Sequence, residues 1–193
     1  MNEQARSLAK VIRAMMFDVD GVLTDNRVPL GKGGGENRMR SYYDGQGTSL
    51  LRAIGFHLCF ITNEKGDSAA GLMEFIEKLN NLPSSKSEAN ANGWHPIKLY
   101  TGMGGVKKGT AAEEFLGEIG IPFEQAGFMG DDLVDIHLFK RVAFRAAPAS
   151  AEKVVREMCH FVSERPGGYG AMRDVANFIL EVRGIDPTSI PPG

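Results

Sequence analysis

The stretch AMMFDVDGVLTDN, residues 14–26, decides how the rest of the chain is organised. A mostly apolar run over residues 11–17 predicts a buried strand, and the turn-forming residues Asp18, Asp20 and Gly21 predict where that strand ends. In an open parallel sheet, the carboxyl ends of the strands form the crevice in which ligands bind. We therefore expect the carboxylates of Asp18 and Asp20 to lie at a binding site.

An Asp-x-Asp-Gly sequence also occurs in ordinary turns and at the start of calcium-binding loops. A calcium loop that begins at Asp18 requires glycine at its sixth position and glutamate at its twelfth. These positions hold Leu23 and Pro29, so the calcium interpretation is excluded. A purely structural turn remains an alternative until the other strand ends are considered.

The composition indicates a single domain over residues 1–193. The formal net charge of -2 and the pI of about 6.1 do not favour a nucleic acid or a membrane surface as the partner. One of the two cysteines, Cys59, lies in an apolar run at residues 56–61, which favours a reducing compartment over a disulfide framework. Residues 1–17 lack the apolar core of a signal peptide. We expect a cytoplasmic protein.

Predicted strands alternate with predicted helices along the chain. The strands are expected at residues 11–17, 56–61, 97–100, 127–129, 142–144 and 161–163. The helices are expected at residues 3–9, 44–54, 68–79, 110–119, 133–140, 151–158 and 172–182. This alternation predicts an α/β fold in which right-handed crossovers join the strands of a parallel sheet.

Four further segments are expected to be largely irregular. Residues 27–43 are polar and rich in glycine, which predicts a hairpin that forms a flap. Residues 82–96 predict a solvated loop, and residues 165–193 form a tail that includes the closing helix. Residues 102–109, GMGGVKKG, do not complete a Gly-x-Gly-x-x-Gly pattern, so no phosphate loop is predicted there.

The predicted strand ends bring six polar side chains to one edge of the sheet: Asp18, Asp20, Thr62, Lys108, Asp131 and Asp132. Carboxylates that are crowded in one pocket repel one another unless a cation or protons compensate their charge. A divalent ion that prefers oxygen ligands, most simply Mg²⁺, meets this need. Lys108 and Thr62 supply a positive charge and a hydroxyl group, which suit the oxygens of a phosphoryl group.

Two carboxylates at the end of one strand suit a two-step phosphoryl transfer. An aspartate can act as the nucleophile by forming an aspartyl-phosphate that water later hydrolyses, and Asp18 is placed for that step. The departing alkoxide needs a proton and the water of the second step needs a base, so one neighbouring carboxyl group can perform both tasks. Asp20 is the candidate for this acid and base.

Four motifs give the chain a resemblance to the haloacid dehalogenase superfamily of phosphatases. They are FDVDGVLTD at residues 17–25, ITN at 61–63, Lys108, and GDDLVD at 130–135, in the order in which the superfamily carries them. The resemblance implies a three-layer Rossmann-like α/β fold with a central parallel sheet, a small hairpin flap and no cap domain.

The resemblance also implies roles for the acidic residues. Asp18 is the nucleophile and a magnesium ligand, and Asp20 is the acid and base and binds the metal through its backbone carbonyl. Asp131 is a further metal ligand. Asp132 and Asp135 orient Asp131 and the neighbouring groups.

The residues that the resemblance implies in binding of phosphate or substrate are Thr62, Asn63, Glu64, Lys65, Lys108 and Arg173. Lys107 and Lys108 are adjacent, so they cannot both point at one phosphate. The distance along the chain from Lys108 to Gly130 fits the superfamily's spacing, which favours Lys108 over Lys107.

Three shorter matches resemble a capless branch that acts on 3-deoxy-2-ulosonic acid phosphates, such as octulosonate 8-phosphates and nonulosonate 9-phosphates. They are DGVLTD at residues 20–25, DGQG at 44–47 and GGYGAMR at 167–173. The segment TNEK at residues 62–65 is similar to the nonulosonate type. The chain departs from that type at Leu72 and Phe75, where the nonulosonate enzymes carry basic residues, and residues 82–96 resemble an insertion.

The capless branch implies a homotetramer in which the hairpin or the glycine-rich tail of a neighbouring chain covers the pocket. Arg173 in the tail, and Arg38 or Arg40 in the flap, are candidates to meet a substrate carboxylate. A solvated surface position is the alternative for each of these arginines.

We therefore predict a magnesium-dependent phosphomonoesterase that hydrolyses a phosphorylated 3-deoxy-2-ulosonic acid through an aspartyl-phosphate on Asp18. A phosphatase for another small sugar phosphate and a catalytically silent oligomerisation module of the same fold are the alternatives. A phospho-receiver domain also combines acidic residues with threonine and lysine. Its phosphorylated aspartate should end the third strand, whereas the aspartate pair of this chain ends the first.

Overall fold

Six parallel strands form the centre of this computed structural model, which describes residues 3–29, 37–86 and 94–190. The strands are β1 (Ala14–Asp18), β2 (His57–Ile61), β3 (Lys98–Tyr100), β4 (Ala126–Met129), β5 (Phe144–Ala147) and β6 (Phe161–Val162). Their order across the sheet is β3-β2-β1-β4-β5-β6, and all neighbouring pairs are parallel. β1 therefore lies inside the sheet, with a hydrogen-bonded strand on each side.

Helices cover both faces of the sheet. In the described ranges the α-helices are α1 (Glu3–Val11), α2 (Tyr42–Ala53), α3 (Asp67–Asn80), α4 (Lys107–Ile119), α5 (Ile136–Phe139), α6 (Lys153–Met158) and α7 (Ala171–Val182). α1, α2, α3 and α7 share a core with Met15 and Phe17 of β1, whereas α4, α5 and α6 share the opposite core with Ala14 and Met16. Alternate residues of a strand point to opposite faces, so β1 contributes to both cores.

The three-layer α/β fold with a central parallel sheet is therefore confirmed. None of the described helices has the length and the apolar character that crossing a membrane requires.

The first strand and the helix before it differ from their predicted bounds. The apolar run at residues 11–17 predicted a strand that begins at residue 11, but α1 extends to Val11 and β1 begins at Ala14. Ala5 and Ala9 of α1 are fully buried, and the Arg183 guanidinium donates to the carbonyl of Ala9 at 3.2 Å. This packing of α1 at the end of α7 extends the helix beyond the predicted residues 3–9.

Two later elements also differ from their predictions. The predicted strand at residues 142–144 is β5, which begins only at Phe144, because the N–H of Val142 still donates to the Leu138 carbonyl at 3.2 Å. The predicted helix at residues 133–140 consists of a 3-10 turn, Leu133–Asp135, followed by α5.

The predicted flap and the predicted loop are described in part. Thr24 and Arg40 form an antiparallel bridge, which brings the two ends of the flap at residues 27–43 together beside β1. Residues 30–36 of the flap lie outside the described residues. In the predicted loop at residues 82–96, Pro83–Lys86 form a 3-10 turn, and residues 87–93 lie outside the described residues.

Candidate active site

The chain turns back sharply after β1 and holds Asp18 at the sheet edge. Asp18 pairs in register with Ile61 of β2, and Phe17 pairs with Met129 of β4, so the segments that follow all three strands start at one level. The Asp18 carboxylate accepts a hydrogen bond from the N–H of Val19 at 2.7 Å. Burial is the largest cause that raises the pKa of Asp18 well above its ordinary value, and the charge of Asp135 adds to it.

A buried lysine lies against the Asp18 carboxylate. The Nζ atom of Lys108 lies 2.6 Å from Oδ2 of Asp18 and 2.5 Å from Oδ1 of Asp135. Burial alone would lower the pKa of Lys108, but the two carboxylates outweigh that effect and raise it. Lys107, the alternative considered from the sequence, is exposed at the start of α4. Of the two lysines, Lys108 is therefore the one that points into the site.

The loop after β4 is held by one buried carboxylate. Oδ2 of Asp135 accepts hydrogen bonds from the backbone N–H groups of Asp131 and Asp132 at 2.9 and 3.2 Å. The Asp132 carboxylate accepts from the N–H of Leu133 at 2.6 Å and so caps the short turn that follows. Asp135 thus fixes the backbone that carries Asp131, while its second oxygen binds Lys108.

Three carboxylates converge closely enough to hold a metal ion. One oxygen from each of Asp18, Asp131 and Asp135 lies within 4.8 Å of the other two, and all three residues are buried. Burial and the neighbouring charge of Asp135 raise the pKa of Asp131 to about 7, which shows how unfavourable this crowding of negative charge is. A hard divalent cation such as Mg²⁺ fits a donor set of carboxylate oxygens and would compensate their charge. Asp135 is fully buried, whereas Asp18 and Asp131 keep exposed fractions of 7% and 8%, so Asp18 and Asp131 are the residues best placed to hold an ion that enters from solvent.

The backbone of Gly21 approaches the Asp131 carboxylate so closely that no side chain fits between them. A Cβ atom at position 21 would lie 1.9 Å from Oδ2 of Asp131, and Gly21 also has a φ of +85°, in the left-handed region. Glycine is the residue that tolerates this conformation at little cost. The turn after β1 and the loop after β4 therefore meet at this glycine.

Alanine at this position is expected to weaken metal binding in addition to destabilising the fold. Gly55 has the same backbone conformation, φ +86°, but a Cβ atom there meets no atom within 4 Å, so Gly55→Ala is a matched control. Both variants should lose about 1 to 2 kcal/mol of stability through the positive φ. Only Gly21→Ala should also displace Asp131 and raise the dissociation constant for Mg²⁺, by at least about tenfold, as measured by calorimetric titration. Equal Mg²⁺ affinities in the two variants would contradict this placement of Asp131.

Asp18, Asp131 and Lys108 line a cavity of about 340 Å³, which we call the active-site cavity. Its lining includes Asp18, Asp20, Asn26, Asn63, Gly104, Gly105, Lys108, Asp131 and Asp132. Thr62 is fully buried just after β2, and its hydroxyl accepts a hydrogen bond from the N–H of Glu64 at 3.0 Å.

Asn26, Gly104 and Gly105 also line the site, although the sequence did not predict them there. A Cβ atom at Gly104 would lie 2.5 Å from Oδ1 of Asn63, so this glycine lets the loop after β3 approach the loop after β2. The position of Gly104 and Gly105, between a predicted strand and Lys108, was the signal that could have indicated them.

An arginine at the end of the flap contacts Asp20. The Nε atom of Arg38 lies 2.9 Å from Oδ1 of Asp20, and its Nη2 atom lies 3.1 Å from Oε1 of Glu64. Burial raises the pKa of Asp20, and the charge of Arg38 partly counteracts that effect. The flap of the same chain therefore reaches the candidate acid and base.

Four of the six residues that the resemblance implied in phosphate or substrate binding do not line the active-site cavity: Thr62, Glu64, Lys65 and Arg173. Thr62 is buried and Glu64 is paired with Arg38, as described above. Lys65 is exposed. Arg173 donates to the side chains of Asn177 at 3.0 Å and Gln46 at 3.4 Å. Neither residue lines the active-site cavity within this chain, and their predicted roles stay predictions.

The DGQG and GGYGAMR motifs contact each other. The fully buried Asp44 accepts hydrogen bonds from the N–H groups of Gly170 at 3.0 Å and Met172 at 2.9 Å, at the start of α7. A Cβ atom at Gly47 would lie 2.9 Å from the Cα atom of Arg173. The two motifs thus form the joint between α2 and α7, and burial raises the pKa of Asp44 to about 6.

Comparison with known proteins supports a phosphatase. Residues 56–167 match the sequence profile of the haloacid dehalogenase-like hydrolases. A 3-deoxy-D-manno-octulosonate 8-phosphate phosphatase of Yersinia pestis is 30% identical over 169 residues, which are 88% of this chain and 80% of that protein.

Solved structures show the same similarity. The crystal structure of a probable YrbI family phosphatase from Pseudomonas syringae pv. phaseolica 1448a has a TM-score of 0.81 and 29% identity, and the match covers 97% of this chain and 96% of that one. The structure of a 3-deoxy-D-manno-octulosonate 8-phosphate phosphatase from Yersinia pestis has a TM-score of 0.79 and 27% identity, over 95% of this chain and 89% of that one.

Proposed function

The chain belongs to the haloacid dehalogenase-like hydrolases and is a phosphatase, and we propose that it is a magnesium-dependent phosphomonoesterase for phosphorylated 3-deoxy-2-ulosonic acids. The octulosonate 8-phosphate phosphatase of Yersinia pestis supports this substrate class, because the similarity extends over most of both chains. The observation that carries the proposal is the convergence of Asp18, Lys108 and Asp131 from three separate segments.

The first step of the proposed reaction uses the Asp18 carboxylate. It attacks the phosphorus atom and forms an aspartyl-phosphate, while the bond from phosphorus to the substrate oxygen breaks. Asp20 donates a proton to that departing oxygen. In the second step, Asp20 accepts a proton from the water that attacks the aspartyl-phosphate, so that inorganic phosphate leaves and Asp18 is restored.

Positive charge near Asp18 supports both steps. Lys108 lies within hydrogen-bond distance of the attacking carboxylate and so orients it, and its charge offsets the negative charge of the phosphoryl group. Thr62 directly follows Ile61, the residue of β2 that pairs with Asp18, and so lies at the same edge of the sheet. Asp18 and Asp131 would hold Mg²⁺, which would supply further compensation of negative charge when bound.

A homotetramer and a cytoplasmic location complete the proposal. The exposed fractions of Met39, Tyr42 and Tyr43, at the end of the flap and the start of α2, are 75%, 79% and 58%. Large apolar side chains that are exposed next to one another are typical of interaction surfaces. Contact between chains at this position would place a neighbour next to the flap.

A substrate panel tests the proposal. The purified protein with Mg²⁺ should hydrolyse an octulosonate 8-phosphate or a nonulosonate 9-phosphate with a kcat/KM at least about tenfold above that for phosphates of neutral sugars, such as glucose 6-phosphate. The reason is that a site that binds the sugar carboxylate discriminates against substrates that lack it. Chelation with EDTA should remove the activity, and Mg²⁺ should restore it. Equal rates on acidic and neutral sugar phosphates would contradict the substrate class, and activity that survives EDTA would contradict the metal requirement.

A further inference from the structure

A second cavity lies between the end of the flap and helix α3. It has a volume of about 370 Å³, within the range of about 300 to 1,000 Å³ that is usual for small-molecule sites. We call it the flap cavity, and its lining includes Thr24, Arg38, Arg40, Ser68, Leu72 and Phe75. Arg38 and Arg40 make part of this lining cationic, Leu72 and Phe75 make part of it apolar, and the carboxylates of Glu64 and Asp67 also line the cavity.

The flap cavity and the active-site cavity meet at Asp20. Asp20 lines the active-site cavity, whereas Arg38 and Glu64 line the flap cavity. The ion pair between Arg38 and Asp20, at 2.9 Å, therefore lies at the boundary between them. A substrate whose ester oxygen lies at Asp20 would have its phosphate in the active-site cavity and the rest of the molecule in the flap cavity.

Arg40 is a cation of the flap cavity that lies beside two aromatic rings. Its Cζ atom lies 3.8 Å from the centre of the Phe75 ring and 5.4 Å from the centre of the Tyr42 ring. Among the residues that the structure describes, no carboxylate lies within ion-pair distance of its guanidinium. Burial lowers the pKa of Arg40, but an arginine stays charged at neutral pH.

Arg38, two residues before Arg40, differs from it because it forms ion pairs with carboxylates. Arg38 is paired with both Asp20 and Glu64, so its charge is already balanced within the chain. Arg40 is instead held by the aromatic face of Phe75, which fixes the guanidinium and leaves its N–H groups available in the plane of the group. Such an arrangement suits the bidentate binding of a carboxylate.

We propose that the flap cavity receives the sugar part of the substrate and that Arg40 binds its carboxylate. This inference rests on the proposed function and names the residue that selects the acid. Leu72 and Phe75 would contact the carbon chain of the sugar, and the hydroxyl groups of Thr24 and Ser68 would lie within the same cavity. Arg40 thus acts in substrate selection, while the phosphoryl transfer itself takes place on Asp18.

The test compares a carboxylated substrate with one that has no carboxylate. Arg40→Gln removes the charge together with the guanidinium that packs on Phe75. We expect kcat/KM for an octulosonate 8-phosphate or nonulosonate 9-phosphate to fall by about 10- to 100-fold, mainly through KM, which is the range for loss of a charged hydrogen bond. The kcat/KM for p-nitrophenyl phosphate should stay within about twofold of the wild-type value.

Arg141→Gln is the matched control. The Cζ atom of Arg141 lies 4.3 Å from the centre of the Phe123 ring, so this arginine also packs on an aromatic face, but it lines neither cavity. This variant should leave the kinetics of both substrates unchanged. Arg40→Lys, which keeps the charge without the planar guanidinium, should lie between wild type and Arg40→Gln, and thermal unfolding of each variant shows whether it is folded.

The outcomes separate this inference from the proposed function. If the wild type prefers sugar acid phosphates and both Arg40 variants keep the same preference, the inference is overturned and the proposed function stands. Loss of activity on both substrates to the same extent, in variants that remain folded, also overturns it. A wild-type protein that hydrolyses p-nitrophenyl phosphate but no sugar acid phosphate overturns the proposed substrate class and this inference together.

Discussion

Replacing Asp18 with asparagine is expected to lower kcat by roughly 10⁴-fold or more, because an amide cannot attack phosphorus as a carboxylate does. The Oδ2 atom of Asp18 also lies 2.6 Å from Nζ of Lys108, so the substitution removes the group that the lysine orients. The measurement is kcat at saturating substrate and Mg²⁺. Wild-type protein quenched in acid during turnover of a radiolabelled phosphate ester should in addition retain label that hydroxylamine releases, and Asp18→Asn should retain none.

Asp25→Asn is the control for that experiment. Asp25 lies in the same turn after β1, but its carboxylate accepts a hydrogen bond from the N–H of Arg27 at 3.2 Å and does not line the active-site cavity. This variant should keep kcat within about threefold of wild type, because it makes no contact with the reacting groups. An Asp18→Asn variant that turns over within tenfold of the wild-type rate would exclude Asp18 as the nucleophile.

The substitution Lys108→Met is expected to destabilise the fold as well as to remove activity. Lys108 is 1% exposed and joins Asp18 to Asp135, so its loss leaves two buried carboxylates facing each other without a positive charge. Removal of one partner from a buried ion pair costs about 3 to 5 kcal/mol. Urea denaturation at pH 7 in EDTA measures this loss without a contribution from metal binding.

The preceding residue supplies the control. Lys107 is exposed at the same helix end, so Lys107→Met should change the free energy of unfolding by no more than about 0.5 kcal/mol and leave kcat unchanged. In the double variant Lys108→Met/Asp135→Asn, part of the lost stability should return, because one of the two unpaired charges is gone. Equal destabilisation by Lys107→Met and Lys108→Met would contradict the buried pairing.

The sequence predicted the centre of the fold well because the signals there are local. An apolar run followed by Asp18, Asp20 and Gly21 specifies both a strand and its end, and the alternation of strands and helices specifies a parallel sheet. The start of β1 was wrong by three residues, because Val11 reads as part of the apolar run while contacts between α1 and α7 extend the helix. Such contacts link residues far apart in the chain and leave no local pattern.

Within the site, the choice between Lys107 and Lys108 shows what sequence spacing can and cannot determine. Adjacent residues on a helix point about 100° apart, so the orientation of α4 against the sheet decides which lysine faces Asp18. The contact between Arg38 and Asp20 depends in turn on where the flap returns to β1, which the Thr24–Arg40 bridge determines. Neither orientation is encoded in the identity of the residues alone.

The interior position of β1 has a consequence for how such an enzyme diversifies. Asp18 is anchored in a strand that is hydrogen-bonded on both sides and buried along its whole length, whereas Arg40 lies in the segment just before α2 and Phe75 lies on helix α3. Mutations around Arg40 and Phe75 can therefore accumulate without disturbing the reactive carboxylate. In this architecture, the sugar that carries the phosphate can differ between related enzymes while the phosphoryl transfer to the buried aspartate stays the same.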